Sequence, residues 1–468
     1  MVFSSISFLF YFLPVLLLCY YLAPKRLKNL VMIIGSLVFF AWGEIRFIPV
    51  MLLLSVEDYV CGRLMEKNRE NEKRRRLYML ISVCSNLGVL VFFKYTSFLL
   101  QNLSSLTGWV FAMPKIILPI GVSFNSFQSI SYAIDVYRGT TNCEKSYYNY
   151  LAYTTLFPQI IAGPIVRYVT VENDLDDHQM TRDSLSVGMR RFLLGLGKKV
   201  LIANNVGYLA SMIADGRAGT PSVLLYWLGI TAYTFQIYFD FSGYSDMAIG
   251  LARVFGLTFD ENFNYPYISQ SITEFWRRWH ITLGAWFRDY VYIPMGGNRV
   301  SVPRHLFNLF AVWALTGFWH GASWNFVLWG LYYGFLLMIE KYLLMPYLKR
   351  IPAFFRHVYT ILLVMFGWVI FYFEDLNRMA KFFRGMLGFA KIPLYNEQSL
   401  YYLLSYGIIF LLAAYFSTPH FKKFLNLADQ TEKPLFAGGA TCLYALMFCA
   451  CIAYLVNSTY NPFLYFRF

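Results

Sequence analysis

LFNLFAVWALTGFWHGASWNFVLWGLYYGFLLMI, residues 306–339, decides how the chain is read. It contains no Asp, Glu, Lys or Arg, and His320 is its only side chain that titrates near neutral pH. As one helix it would reach ~50 Å, while bilayer hydrocarbon is only ~30 Å thick. The run cannot be one straight span. Gly317 and Gly321 bracket His320, so the spacing predicts a break near Thr316–Ser323 and a good span from Trp324 onward. His320 then falls near a helix end, facing protein or water. An ionisable group at membrane depth points to function. A buried histidine hydrogen-bonded to a carbonyl or hydroxyl is the alternative.

The remainder of the chain has the same character. Of its 468 residues 58% are hydrophobic and 14% charged, against about a quarter charged in soluble domains. Apolar runs recur throughout, so lipid is the natural surrounding and the chain reads as an all-α polytopic membrane protein. The net charge of +14 lies in short segments between apolar runs, as the positive-inside bias of cytoplasmic loops predicts. No basic helix or zinc-finger spacing suggests nucleic acid. The seven cysteines show no metal-site spacing and read as small buried hydrophobes.

The first apolar run is followed, not preceded, by its basic cluster (Lys25, Arg26, Lys28). It reads as a retained span with an external N-terminus rather than a secretory signal. Runs at 30–41 and 47–59 are joined by a turn at Trp42–Arg46, and Glu66–Arg76 reads as a cytoplasmic loop. Residues 77–100 then cross outward, leaving 101–115 outside. Runs at 116–134, 146–166 and 186–214 are interrupted by Gly and Pro, and residues 222–257 carry the embedded polar residues Gln236, Asp240 and Asp246. Later runs cover 306–346, 357–373, 400–417 and 436–456. The total is roughly ten to twelve membrane-embedded helices in a single integral domain, residues 1–468. Broken backbone at membrane depth needs cover from protein or a hydrated cavity, so the middle should form a shielded interior.

Three stretches could carry chemistry. Besides His320 there is SITEFWRRWHITLGAWFRDYVYIPMGGNR, residues 271–299. Ser271 and Glu274 have capping-box spacing. The helix that follows should put Trp276, Trp279 and His280 on one face, with Arg277 nearby, and fade by Pro294 before a turn at Gly296-Gly297-Asn298. An interfacial helix explains its Trp and Arg, but His280 less well. In residues 234–257, Asp240 and Asp246 lie about 120° apart on a helix and are not a carboxylate dyad. Each should end a helix, pair with Arg or face the interior; a proton relay is the functional alternative. Asp174, Asp176 and Asp177 read as a solvated acidic loop before a helix. Phosphate-binding loops, G-x-S-x-G and H-E-x-x-H are absent.

Together YFDFSGYSDMAIGLARVFG (238–256), NFNYPYISQSITEFWRRWHITLGAWFRDYVYIPMGGNR (262–299) and LTGFWHGASWNFVLWGLYYG (315–334) resemble the membrane-bound O-acyltransferase (MBOAT) family. The resemblance is closest to its alginate O-acetylation branch, which is related to the D-alanyl transfer proteins of teichoic acid synthesis. The closing NPFLYFRF (461–468) is similar to the tail of the alginate branch. The resemblance implies a ring of membrane helices around a thinned centre with a through-tunnel, and His320 and His280 as the catalytic pair.

Acyl transfer from a thioester to a hydroxyl needs a base, and imidazole suits that task near neutral pH. The expectation is that His320 takes the hydroxyl proton while His280 orients the acyl group or polarises its carbonyl. Acylation of His320 is the alternative. Trp276, Arg277, Trp279, Arg288, Asn298, Arg299 and Trp319 are donor-side or tunnel candidates; Gln236, Asp240 and Asp246 are polar-interior candidates. No metal or bound cofactor is expected. The donor would be acetyl-coenzyme A or an acyl carrier protein in the cytoplasm, drawn by Arg288, Arg299 and Arg304. The acceptor route would run through an esterase-like transferase outside the bacterial inner membrane. D-alanyl transfer and a lipid-linked sugar flippase are the competing readings, with a non-catalytic scaffold behind them.

Overall fold

A computed structural model describes residues 1–112, 114, 116–119, 121–161, 163–178, 180–423, 434–457, 460–462 and 464, with side chains at 434–437 excepted. The tail residues 463 and 465–468 thus lie outside the described residues. The described chain is helical, and its one β-type pairing is an isolated antiparallel bridge between Phe263 and Trp279. Among the described residues, six helices are long and apolar enough to cross a membrane: Lys25–Lys67, Glu72–Thr107, Trp324–Leu348, Ala353–Tyr372, Glu397–Phe416 and Gly438–Asn457.

The later apolar runs end close to where periodicity places them, but other segments differ from expectation. The two early runs at 30–41 and 47–59 belong to one 43-residue helical segment whose corner is a single 3-10 turn, Ile45–Phe47. The first run forms only the short apolar helix Phe8–Leu22. Residues 101–107, read as an outer loop, continue a helix that ends at Gly108, where φ is +72°. Asp174 and Asp176 belong to the last turns of the helix Tyr168–Asp176 rather than to a loop, and the helix expected after them begins at Arg182.

Two compact units can be distinguished: residues 1–192 with 245–261, and residues 193–244 with 262–468. The first is built around a phenylalanine cluster including Phe3, Phe8, Phe39 and Phe157. Asp246 lies in this unit. The Arg191 guanidinium donates to it at 2.9 Å and to Glu261 at 2.5 Å. Asp246 therefore pairs with an arginine, one of the arrangements expected for it, and both aspartates occur within the long helix Val223–Val254 rather than at its end.

The second unit contains both histidines of interest. Its tightest crossing joins Val302–His320 to Trp324–Ile339, and the break falls at 321–323, as the glycine spacing predicts. The two helices touch backbone to backbone. A Cβ on Gly317 would collide with the Phe326 carbonyl oxygen and lie 3.0 Å from the Gly330 Cα. Without a hydrophobic drive in lipid, such close contact is what holds membrane helices together. Gly317→Ala should lower the thermal midpoint in detergent, at a cost of about 1–3 kcal/mol. Gly88→Ala, where a Cβ meets nothing within 4 Å, should leave the midpoint unchanged or slightly raised.

Candidate active site

The helix expected from Ser271 toward Pro294 starts on schedule and stops early. Ser271 Oγ accepts from the Glu274 amide at 3.0 Å, and the Glu274 carboxylate accepts from the Gln270 amide at 2.9 Å. Glu340, fully buried, accepts from the amides of Ile272 and Thr273, each at 2.7 Å. A carboxylate there satisfies orphan N–H groups and complements the helix dipole. The helix nevertheless ends at Arg278. Trp279 is extended and pairs with Phe263, His280 adopts φ +46°, and a second short helix runs Ile281–Phe287. Trp276, Trp279 and His280 therefore do not share a helix face. The cause is tertiary: the segment 262–264 supplies partners for the broken backbone. Asn264 N–H donates to the Arg278 carbonyl at 2.9 Å, and Ile281 N–H donates to that of Asn262 at 3.0 Å. Helices of seven residues reach only ~10 Å each, so this region is built from pieces too short to span.

His280 and His320 are both buried, at 2% and 6% exposure. They share one neighbour: the Trp319 indole lies 6.0 Å from the His280 ring and 5.0 Å from the His320 ring. His320 is the last residue of its helix. Trp329 and Phe371 meet its ring edge to face at 5.0 and 5.2 Å. Phe241 stands perpendicular to His280 at 4.7 Å. A cavity of about 20 Å³ opens beside His320, lined by Asp240, Phe241, Trp279, Trp329, Phe371 and Leu464 among others. That is room for one water-sized group.

The other candidates divide sharply. Trp279 and Trp319 are buried. Trp276 is half-buried and packs against Trp329 at 5.4 Å, one ring away from His320. Arg277, Arg288, Asn298 and Arg299 are exposed; Arg288 pairs with the adjacent Asp289 at 2.7 Å. The turn at 296–298 is present, with positive φ at both glycines. Gln236 is buried and packs over Gly207.

Asp240 has a partner that the sequence reading missed. Lys199 Nζ lies 2.5 Å from its Oδ1, with both side chains only 3% exposed. Lys199 also donates to the Pro462 carbonyl, and the Leu464 amide donates to Asp240 Oδ2 at 2.9 Å. The pair thus ties the tail, at Leu464, to the cavity wall. The available signal was a lysine inside the apolar run 186–214, which needs an acid nearby.

Residues 144–382, which include both histidines, match MBOAT, the membrane-bound O-acyltransferase family. The chain belongs to this family. It is thus a multi-pass membrane acyltransferase. A protein described as probable alginate O-acetylase AlgI from Azotobacter vinelandii is 38% identical, with 100% of each chain covered. The peptidoglycan O-acetyltransferase of Helicobacter pylori is 32% identical over 84% of this chain and 81% of the relative. The teichoic acid D-alanyltransferase of Bacillus subtilis is 30% identical over 54% of this chain and 68% of the relative. Within this acyltransferase, Lys199→Met would strand a buried carboxylate at a cost of about 3–5 kcal/mol, whereas the double change with Asp240→Leu should recover most of it. Thermal midpoints of the two purified variants and the native chain check this.

Proposed function

We propose that the chain is an O-acetyltransferase that moves an acetyl group from a cytoplasmic thioester toward an extracytoplasmic polysaccharide. The carrying observation is the pair of buried imidazoles that share the Trp319 indole, with His320 lining a small, largely aromatic cavity. As the alcohol oxygen bonds to the acyl carbon its proton must leave, and an imidazole can take it near neutral pH. The surrounding aromatic rings exclude bulk water, which protects the thioester from hydrolysis. His320 and His280 are the catalytic pair in this reading, and Trp276, Trp279 and Trp319 pack the walls around them.

Acetyl is favoured over D-alanyl because the alginate O-acetylase relatives cover 83–100% of the chain, whereas the D-alanyltransferases match about half. The donor, acetyl-coenzyme A or an acyl carrier protein, would meet the cytoplasmic side of an inner membrane. Exposed Arg277, Arg288, Arg299 and Arg304 supply cations for its phosphates or acidic surface. An esterase-like transferase on the far side would receive the group and pass it to the glycan. The route between the faces would be a tunnel through a thinned centre.

His320→Ala should lower ester formation by about a hundredfold or more while protein level and membrane insertion stay normal. Mass spectrometry of surface polymers from a deletion strain carrying each version reads this. Normal acetylation in the variant would end the proposal, and loss of polymer export in place of ester would favour a flippase. Reversing Arg288, Arg299 and Arg304 to Glu should raise the KM for the donor with kcat little changed, as measured in membrane vesicles. An unchanged KM would leave these residues as topological charge only.

A further inference from the structure

The cavity lined by His320 is small and mostly apolar. Its volume of about 20 Å³ takes one group the size of a water or a methyl. Among the described residues its wall carries two ionisable side chains, Asp240 and His320. Asp240 is already committed. Lys199 Nζ sits 2.5 Å from its Oδ1, and the Leu464 amide donates to Oδ2 at 2.9 Å. A cation entering the cavity would find that carboxylate neutralised, and an unpaired charge in a dry site is costly. The rest of the wall is aliphatic or aromatic, so the group it suits is a single apolar carbon.

Two kinds of side chain make up that rest. Trp279, Trp329, Trp368 and Phe371 pack on one another. Trp279 lies 4.8 Å from Trp368, and Phe371 lies 5.2 Å from Trp329 and 5.7 Å from Trp368. Trp329 and Phe371 also hold the His320 ring. Removing one of these rings would loosen the imidazole together with the wall. Ile237 is different. It is aliphatic and 6% exposed, and it comes from the helix Val223–Val254. Asp240 and Phe241 follow it by three and four residues, so the three share one face. Ile237 lines the cavity without belonging to the aromatic cluster that carries His320. Leu464, the other aliphatic residue of the wall, is tied through its amide to Asp240. Cavity width at Ile237 can therefore change while His320 keeps its aromatic contacts.

Resting on the acetyl-transfer reading above, we propose that this cavity seats the methyl of the acyl group and that Ile237 is a specificity-determining residue that limits the group to two carbons. A propionyl group adds one methylene, and a hydrophobic pocket discriminates such a difference by roughly 10–200-fold. A D-alanyl group adds a carbon and an ammonium, so both size and charge oppose it.

Binding to the full chain in lipid vesicles tests this. The probes are ketone analogues of acetyl-, propionyl- and D-alanyl-phosphopantetheine, the arm that coenzyme A and acyl carrier proteins share. A CH2 replaces the thioester sulfur, so the acyl group cannot be transferred. The native chain should hold the acetyl analogue about tenfold or more tightly over the other two. Ile237→Val should narrow the acetyl-over-propionyl ratio, and Ile237→Ala should bring it close to one with acetyl affinity little changed. Ile237→Phe should fill the cavity, so a deletion strain carrying it should make no acetyl ester at normal protein level. Equal binding of the acetyl and propionyl analogues by the native chain, binding of neither, or a ratio that Ile237→Ala leaves where it was would overturn the assignment and leave the acetyl-transfer reading standing. If the native chain restores no acetyl ester to the deletion strain, that reading falls and the methyl seat with it, whichever way the analogues bind.

Discussion

A peptide group at membrane depth has no water to turn to, and the second unit is arranged around that constraint. Its backbone is interrupted at Trp279 and His280, where a continuous helix would have been simpler. The interruption persists because residues 262–264 lie alongside and take up the freed groups, Asn264 N–H onto Arg278 and Ile281 N–H onto Asn262. The short pairing does for the break what a helix ladder does elsewhere. It also fixes where the imidazole of His280 points, so satisfying the backbone and orienting that side chain are one event.

Buried charge follows a parallel rule. Two aspartates lie in the Val223–Val254 helix, and each has a basic partner: Lys199 for Asp240 and Arg191 for Asp246. Desolvating such pairs is costly, and they contribute little net stability. The Lys199–Asp240 pair has a further use, since it receives the Pro462 carbonyl and the Leu464 amide. A charged pair inside the unit thereby anchors Pro462 and Leu464, and Leu464 completes the wall next to His320.

The aromatic surroundings explain how a buried imidazole is accommodated in an apolar interior. Edge-to-face contacts from Trp319, Trp329 and Phe371 hold His320 without spending its ring nitrogens on them. Packing of this kind leaves room for no more than one water-sized group beside the ring. The closely packed glycines Gly317 and Gly330 hold the helix that ends at His320 against its successor, so the ring is positioned from below by backbone contact.

Much of this was legible in the residue order. Hydropathy and length dictated an all-helical membrane protein. The uncharged 306–339 run with its paired glycines dictated a break beside His320, because no helix of that length fits within a bilayer. Ser271 marked a helix start through local capping chemistry. What residue order could not supply was every relation that spans distant positions. The stop after Arg278 depends on a strand segment 15 or so residues upstream, and local spacing around Trp276 and His280 argued for a continuous helix instead. The partner of Asp240 lies across a separate helix, and Ile237 carries no mark of its own until the cavity it lines is seen. Propensity and periodicity act over a few residues. Hydrogen bonds that rescue a broken backbone or neutralise a buried charge are chosen by the packed fold, and in this protein they set the orientation of His280 and the wall beside His320.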